Sequence, residues 1–269
     1  MDCRQGIIII VFLLINVSLF GLGFEKNEVL DLSGKKVDYT LEVDHPKEIK
    51  ILIMDSCSLT ELPHVISALT HLEHLSLQYN PNLNLEQLSE VIKSLPKLRF
   101  LNLSHNEIIA LPMGFGDLKI SELKLSGNKL SSIDFISIVQ AMPALQRLWI
   151  DGNQWRELPI SLFALPKLRV LYAYNNQIST IELKGSLKTS LRVLHLGSNA
   201  FEELPVALTL LKGLRMALFN QNQISSIPQV FGTNRYSMNA LILDANPLGI
   251  ESRTRGAKCF KKMMMYSDK

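Results

Sequence analysis

Apolar residues recur along this chain at intervals that fit neither an amphipathic helix nor an alternating strand. The clearest stretch is Leu98 to Pro112, LRFLNLSHNEIIALP. Leucines stand at its first, fourth and sixth positions, Leu98, Leu101 and Leu103. Asn106 follows at the ninth, Ile108 at the eleventh and Leu111 at the fourteenth, and Pro112 closes it. The front predicts a short strand with Leu101 and Leu103 on one face. Asn106 turns the chain, and Ile108 and Leu111 point back inside. One such unit buries almost nothing alone, so it needs copies beside it.

The copies are present. Taking Asn106 as the marker, equivalent positions are Cys57, Asn80, Asn128, Asn153, Asn176, Asn199, Asn222 and Asn246, and a degenerate first copy puts Lys35 there. Successive markers are 22 to 26 residues apart. The pattern resembles the leucine-rich repeat family, LxxLxLxxNxLxxLP, over residues 28 to 250. The resemblance implies an α/β solenoid, a curved horseshoe of about ten repeats. Its parallel β-sheet would line the concave face, with short helices or extended segments on the convex face. The marker asparagines read as structural. A turn leaves peptide groups pointing inward, and an amide both donates and accepts, so each Asn can bridge its own loop to the next repeat. Cys57 reads as a substitute that a terminal repeat tolerates.

The return segments differ among themselves. Most are built like Leu158–Leu168, LPISLFALPKL, where proline discourages a long helix. Two are longer. Asn84 to Leu95 carries apolar residues at helical spacing, with Asn84 and Gln87 placed as a capping box. Asp134 to Met142 starts on a capping residue. Both are predicted to be convex helices.

Residues between the core leucines should face the concave side in columns, one residue per repeat. The column between the fourth and sixth motif positions contains Lys124, Trp149, Tyr172, His195, Leu218 and Ile242. Phe100, Arg147, Val193 and Met216 belong to the column before it, Asp151 and Tyr174 to the column after. Aromatics ringed by charge have the composition of an interaction hot spot, and an exposed apolar patch of Val193, Met216, Leu218 and Ile242 beside them suggests a partner. The candidate ligand-binding residues are therefore Phe100, Lys124, Arg147, Trp149, Asp151, Tyr172, Tyr174, His195 and Leu218. Stacked rings also stabilise a sheet with no ligand at all, and that reading stays open.

Composition adds limits. The 269 residues carry 28 Lys and Arg against 25 Asp and Glu, a net charge of +3, too mild to argue for nucleic acid. No metal-ligand, phosphate-loop or nucleophile–base pattern stands out, so no catalytic residue, metal or cofactor is expected. Cys57 and Cys259 lie near opposite ends of the solenoid, too far apart to pair. Asn102 and Ser104 form a glycosylation triplet, but inside a strand.

Residues 7 to 23 form an uncharged run ending Gly21-Leu22-Gly23. This reads as a secretory signal peptide over 1–23, removed before Phe24, with no stable membrane insertion afterwards; the alternative is an uncleaved anchor, since seventeen residues is near the lower limit for a spanning helix. No cysteine follows to carry a lipid. Residues 24–250 are then the repeat domain, and 251–269 a basic C-terminal cap or tail, with membrane-surface contact as its alternative. The resemblance implies a monomeric module, secreted or periplasmic or on the cell surface, that binds a protein of unknown identity through its concave face. The lack of the cysteine-rich end caps of animal extracellular members fits a bacterial exported protein. Two alternatives remain. The repeats also resemble those of intracellular ras-suppressor-like scaffolds, and Trp149 with Tyr172 could form a carbohydrate platform.

Overall fold

The computed structural model describes residues 25–37, 40–131, 135, 138–183, 189–232, 238–260 and 263–264. The signal-peptide interval 1–23 lies outside them. Each repeat opens on a three-residue strand, as the apolar-x-apolar pattern requires. These are β1 (Val29–Asp31), β2 (Ile51–Ile53), β3 (His74–Ser76), β4 (Phe100–Asn102), β5 (Glu122–Lys124), β6 (Arg147–Trp149), β7 (Val170–Tyr172), β8 (Val193–His195), β9 (Met216–Leu218) and β10 (Ala240–Ile242). A two-residue β11 (Met263–Met264) follows, and all lie parallel in one sheet in sequence order. The register matches the columns read from the repeats: Asn102 pairs with Lys124, Lys124 with Trp149, Trp149 with Tyr172, Tyr172 with His195 and His195 with Leu218.

The core is the space between sheet and returns. Leu75, Leu101, Leu123, Leu148, Leu171 and Leu194 fill it one per strand, each fully buried. Tight turns follow the prolines: His64–Ala68, Met113–Asp117 and Val206–Leu210 are 3-10 turns, and α2 (Ile160–Phe163) is a single helical turn. Proline before each turn supplies a fixed φ and needs no N–H bond. The first long return forms α1 (Leu85–Lys93), whose cap Asn84 accepts from the N–H groups of Glu86 and Gln87. The expected reciprocal bond from Gln87 does not form. Its amide instead spans to the preceding repeat, accepting from Leu62 N at 3.1 Å and donating to Leu62 O at 3.0 Å. In the second long return, Phe135 and residues 138–140 are helical, and the proposed cap Asp134 is outside the described residues.

The asparagine ladder joins the repeats. Asn128 Oδ1 accepts from Asn106 N at 2.9 Å and Ile108 N at 3.0 Å. Its Nδ2 donates to Leu103 O at 3.0 Å and Leu125 O at 2.9 Å. The bridge therefore runs back to the preceding repeat, not forward. Cys57 supplies part of this chemistry: its thiol donates to Leu32 O at 3.1 Å, and its sulfur accepts from the backbone of Gly34 and Lys35 in the turn before. It is a buried free thiol. The ladder also holds a strained turn. Ser56, Tyr79, His105, Asn175, Ser198, Gln221 and Ala245 all adopt positive φ at the position before the marker, where three repeats place Gly34, Gly127 and Gly152. Non-glycine residues accept that conformation at a cost of about 1–2 kcal/mol, so the bonds around them must over-determine it.

The C-terminal segment is more than a tail. Helix α3 (Ile250–Cys259) takes the place of a return segment, and β11 pairs parallel with β10, so the sheet runs past residue 250. Phe260 packs on Phe231 at 5.8 Å. Two of the basic residues bond to backbone here: Arg253 Nε donates to Leu248 O at 3.0 Å, and Arg255 donates to Ile227 O. Among the described residues no helix is long and apolar enough to cross a membrane.

Candidate binding surface on the concave face

Parallel pairing in register sets equivalent side chains about 4.7–4.9 Å apart, and inward curvature brings their tips closer still. Large rings in consecutive strands must then pack on one another. Trp149 and Tyr172 stack with centroids 5.3 Å apart and planes 10° from parallel. Tyr172 meets His195 edge-on at 5.8 Å, and Tyr174 leans on the same imidazole at 5.3 Å. The structure thus assembles the four aromatics that the columns placed together.

It corrects their expected exposure. Trp149 is 7%, Tyr172 6%, His195 8% and Leu218 5% exposed. Ile242, expected in an exposed apolar patch, is also buried. The concave column is filled by its own side chains, so these residues are a second packed layer rather than an open platform. What a partner can reach is the adjacent column. There His74, Phe100, Glu122, Val170, Val193 and Met216 are half-buried and Arg147 is exposed. His74 and Phe100 lie ring to ring at 5.3 Å. The accessible strip is apolar or aromatic at both ends, with an ion pair of Arg147 and Glu122 between.

Lys124 sits at the centre. Its ammonium lies 5.4 Å from the Phe100 ring centroid and 5.1 Å from that of Trp149. A cation over two ring faces is attracted by both quadrupoles. Burial pushes its pKa down, and the nearby charges of Glu122 and Asp151 pull it partly back. Asp151 bridges the two neighbouring repeats, accepting from Tyr174 N at 2.8 Å and from the Ser126 hydroxyl at 3.2 Å. Asn102 and Ser104 of the glycosylation triplet are buried, and Asn102 Oδ1 accepts from Ser104 N, so no glycan fits there.

One exposed pair was missed in the sequence. Tyr79 and His105 stack at 4.6 Å with planes 2° apart. Both stand immediately before the marker asparagine, so their shared offset carried the signal. A shallow groove of about 1000 Å³ on the return side, between Ile181 and Leu210, was also unforeseen. Its rim carries Glu182, Glu202 and Glu203.

Two buried titratable groups make a test of the packed layer. Burial pushes the Asp151 carboxyl up to about 6, only partly opposed by its bonds to Tyr174 N and Ser126. Burial pushes His195 down to about 4, opposed by a hydrogen bond with Asn220. Between roughly pH 4 and 6 the folded chain holds a proton on Asp151 that the unfolded chain has released, so this group lowers stability as pH rises. Over the same window the unfolded chain protonates His195 and the folded chain does not, so stability rises with pH. The two slopes oppose each other. Asp151→Asn should therefore leave a stability that climbs from pH 4 to 6, and His195→Asn one that falls. Urea midpoints at both ends of the window check this; parallel profiles for the two variants would sink the assignment.

Comparison with known proteins agrees with this architecture. The family model described as Leucine Rich Repeat matches residues 97–118, one repeat of the series. No curated protein sequence matches the chain. Among solved structures, a leucine-rich repeat protein of Leptospira interrogans is similar with a TM-score of 0.66 and 24% identity, over 83% of this chain and 55% of that one. This chain thus spans about half the length of that protein. As 420 solved chains match it, the likeness is to a widely used scaffold and singles out no partner. With its unit repeated strand by strand from β1 to β10, the chain has the leucine-rich repeat fold, and residues 97–118 match that family's model.

Proposed function

We propose that this protein is an exported, monomeric binding module that holds a protein partner on its concave face, and that it is not an enzyme. The observation that carries the reading is the half-buried strip Val170–Val193–Met216, held on consecutive rigid strands and continuous with Arg147, Glu122 and Phe100. Apolar side chains left partly open on a curved, preorganised surface lose little entropy when a partner covers them. The uncharged run of residues 7–23 supports export.

Two measurements test the parts separately. Fractionation with N-terminal sequencing is expected to find the mature chain outside the cytosol, beginning at Phe24. An intact Met1 in the cytosol would favour the intracellular scaffold. A photo-reactive residue placed at Val193 is expected to capture a partner that one at Met113, 74% exposed on the return side, does not. Equal capture at both positions would exclude a concave site. Glycan-array binding without protein capture would replace it with the carbohydrate reading.

A further inference from the structure

Lys124 is the one concave cation of the central repeats that nothing neutralises by contact. Arg147 is joined to Glu122. Among the described residues Lys124 has no carboxylate within ion-pairing distance and no hydrogen-bond acceptor. The rings of Phe100 and Trp149 hold the ammonium from two sides, but ring faces do not accept its three N–H groups as an oxygen does. With the side chain half-buried and its ammonium placed between two rings, less side-chain entropy remains to be lost on binding.

We propose, resting on the concave-face reading above, that Lys124 is the anchor for an Asp or Glu carboxylate of the protein partner, with an apolar side chain of the same segment covering Val170, Val193 and Met216. Charge complementarity selects the acid: its carboxylate supplies the acceptors the ammonium lacks, and the surrounding rings exclude water from the pair. The spacing selects the rest. Lys124 lies on β5 and Val170 on β7, two strand steps or about 10 Å apart, and Met216 lies about 10 Å further. An extended segment crossing the strands advances about 3.3 Å per residue. The acid is thus followed about three residues on by the first apolar contact, and about three more by the last. A phosphate group would satisfy Lys124 equally but brings no side chain for the apolar strip.

Selection of short random peptides displayed on phage tests this, with the intact protein as bait. Three baits are used in parallel: wild type, Lys124→Met, and Val170→Asp with Val193→Asp. Methionine keeps the apolar stem between the rings, and thermal unfolding checks that each variant folds. Wild type is expected to enrich peptides with an acid about three residues from an apolar pair. Synthetic copies should bind Lys124→Met at least about tenfold more weakly. Carbodiimide coupling should join their carboxylate to the Lys124 amine as an amide, the carbodiimide leaving as its urea, in preference to exposed Lys129. Peptides without acid preference that still need Val170 and Val193 would overturn the anchor and leave the concave-face reading standing. Peptides indifferent to both variants, or no enrichment at all, would overturn both.

Discussion

Replacing Asn128 by leucine is expected to remove about 4 kcal/mol of stability, although leucine has nearly the same size and is apolar. The reason is the number of groups one amide serves. Its oxygen is the acceptor for two buried N–H groups, those of Asn106 and Ile108, and its nitrogen satisfies the carbonyls of Leu103 and Leu125. Asn128 is only 6% exposed, so water does not readily replace it. Each N–H left unpaired costs about 1–3 kcal/mol. The carbonyls add less, because each retains a second lone pair. Asn176 is half-buried and its oxygen accepts from one N–H, that of Trp155, so its replacement should cost less. The difference between the two variants, measured as urea midpoints at constant slope, reads the second N–H together with the deeper burial. Equal losses at both positions would mean that neither the second N–H nor burial sets the cost.

The second large effect concerns Trp155. It stands where other repeats place Ile108, Ile178 or Ile224, and it is fully buried. The longer return of the preceding repeat makes room for it, and its ring meets Phe135 edge-on at 5.5 Å and 80°. Trp155→Ala would leave a cavity between two repeats that each depend on their neighbour, for a loss of about 4 kcal/mol. The indole N–H has no hydrogen-bond partner among the described residues. Trp155→Phe thus removes an uncompensated donor along with some ring volume, and the two changes offset in part. Its expected loss is about 1 kcal/mol. Circular dichroism during urea unfolding would follow both. In a solenoid, a weakened interior interface can split one transition into two, so a biphasic curve for Trp155→Ala alone would localise the damage. A phenylalanine variant as damaged as the alanine one would show that the N–H has a partner after all.

Neither effect lies on the binding surface, and that separation runs through the molecule. The ladder asparagines and core leucines hold the turns; the residues between them meet the solvent or each other. Lys124, Trp149 and Tyr172 look alike in the sequence, as three successive members of one column. In the folded chain Trp149 and Tyr172 are packing, and Lys124 alone among them is left half-buried, its ammonium without a hydrogen-bond acceptor among the described residues.

The order of strands, the register and the column membership of every concave residue were legible in the sequence, because a repeat of fixed phase leaves each strand only its neighbour to pair with. Leu98 to Pro112 contained that rule in one unit. The identity of the ladder residues followed from the same phase. Exposure did not follow. Whether Trp149 or Leu218 is open to a partner depends on the ring in the next strand and on how far curvature closes the gap between tips, and both are properties of neighbours brought together by stacking. The same holds for Gln87, which could cap its own helix by sequence but bonds to Leu62 of another repeat. It holds also for the C-terminal segment, whose helix packs on the Gln229–Gly232 turn and whose short strand pairs with β10, with no repeat signature of their own. Local pattern decided which side each residue faces; the tertiary structure decided what meets it there, since burial is a sum over contacts between residues far apart in the chain.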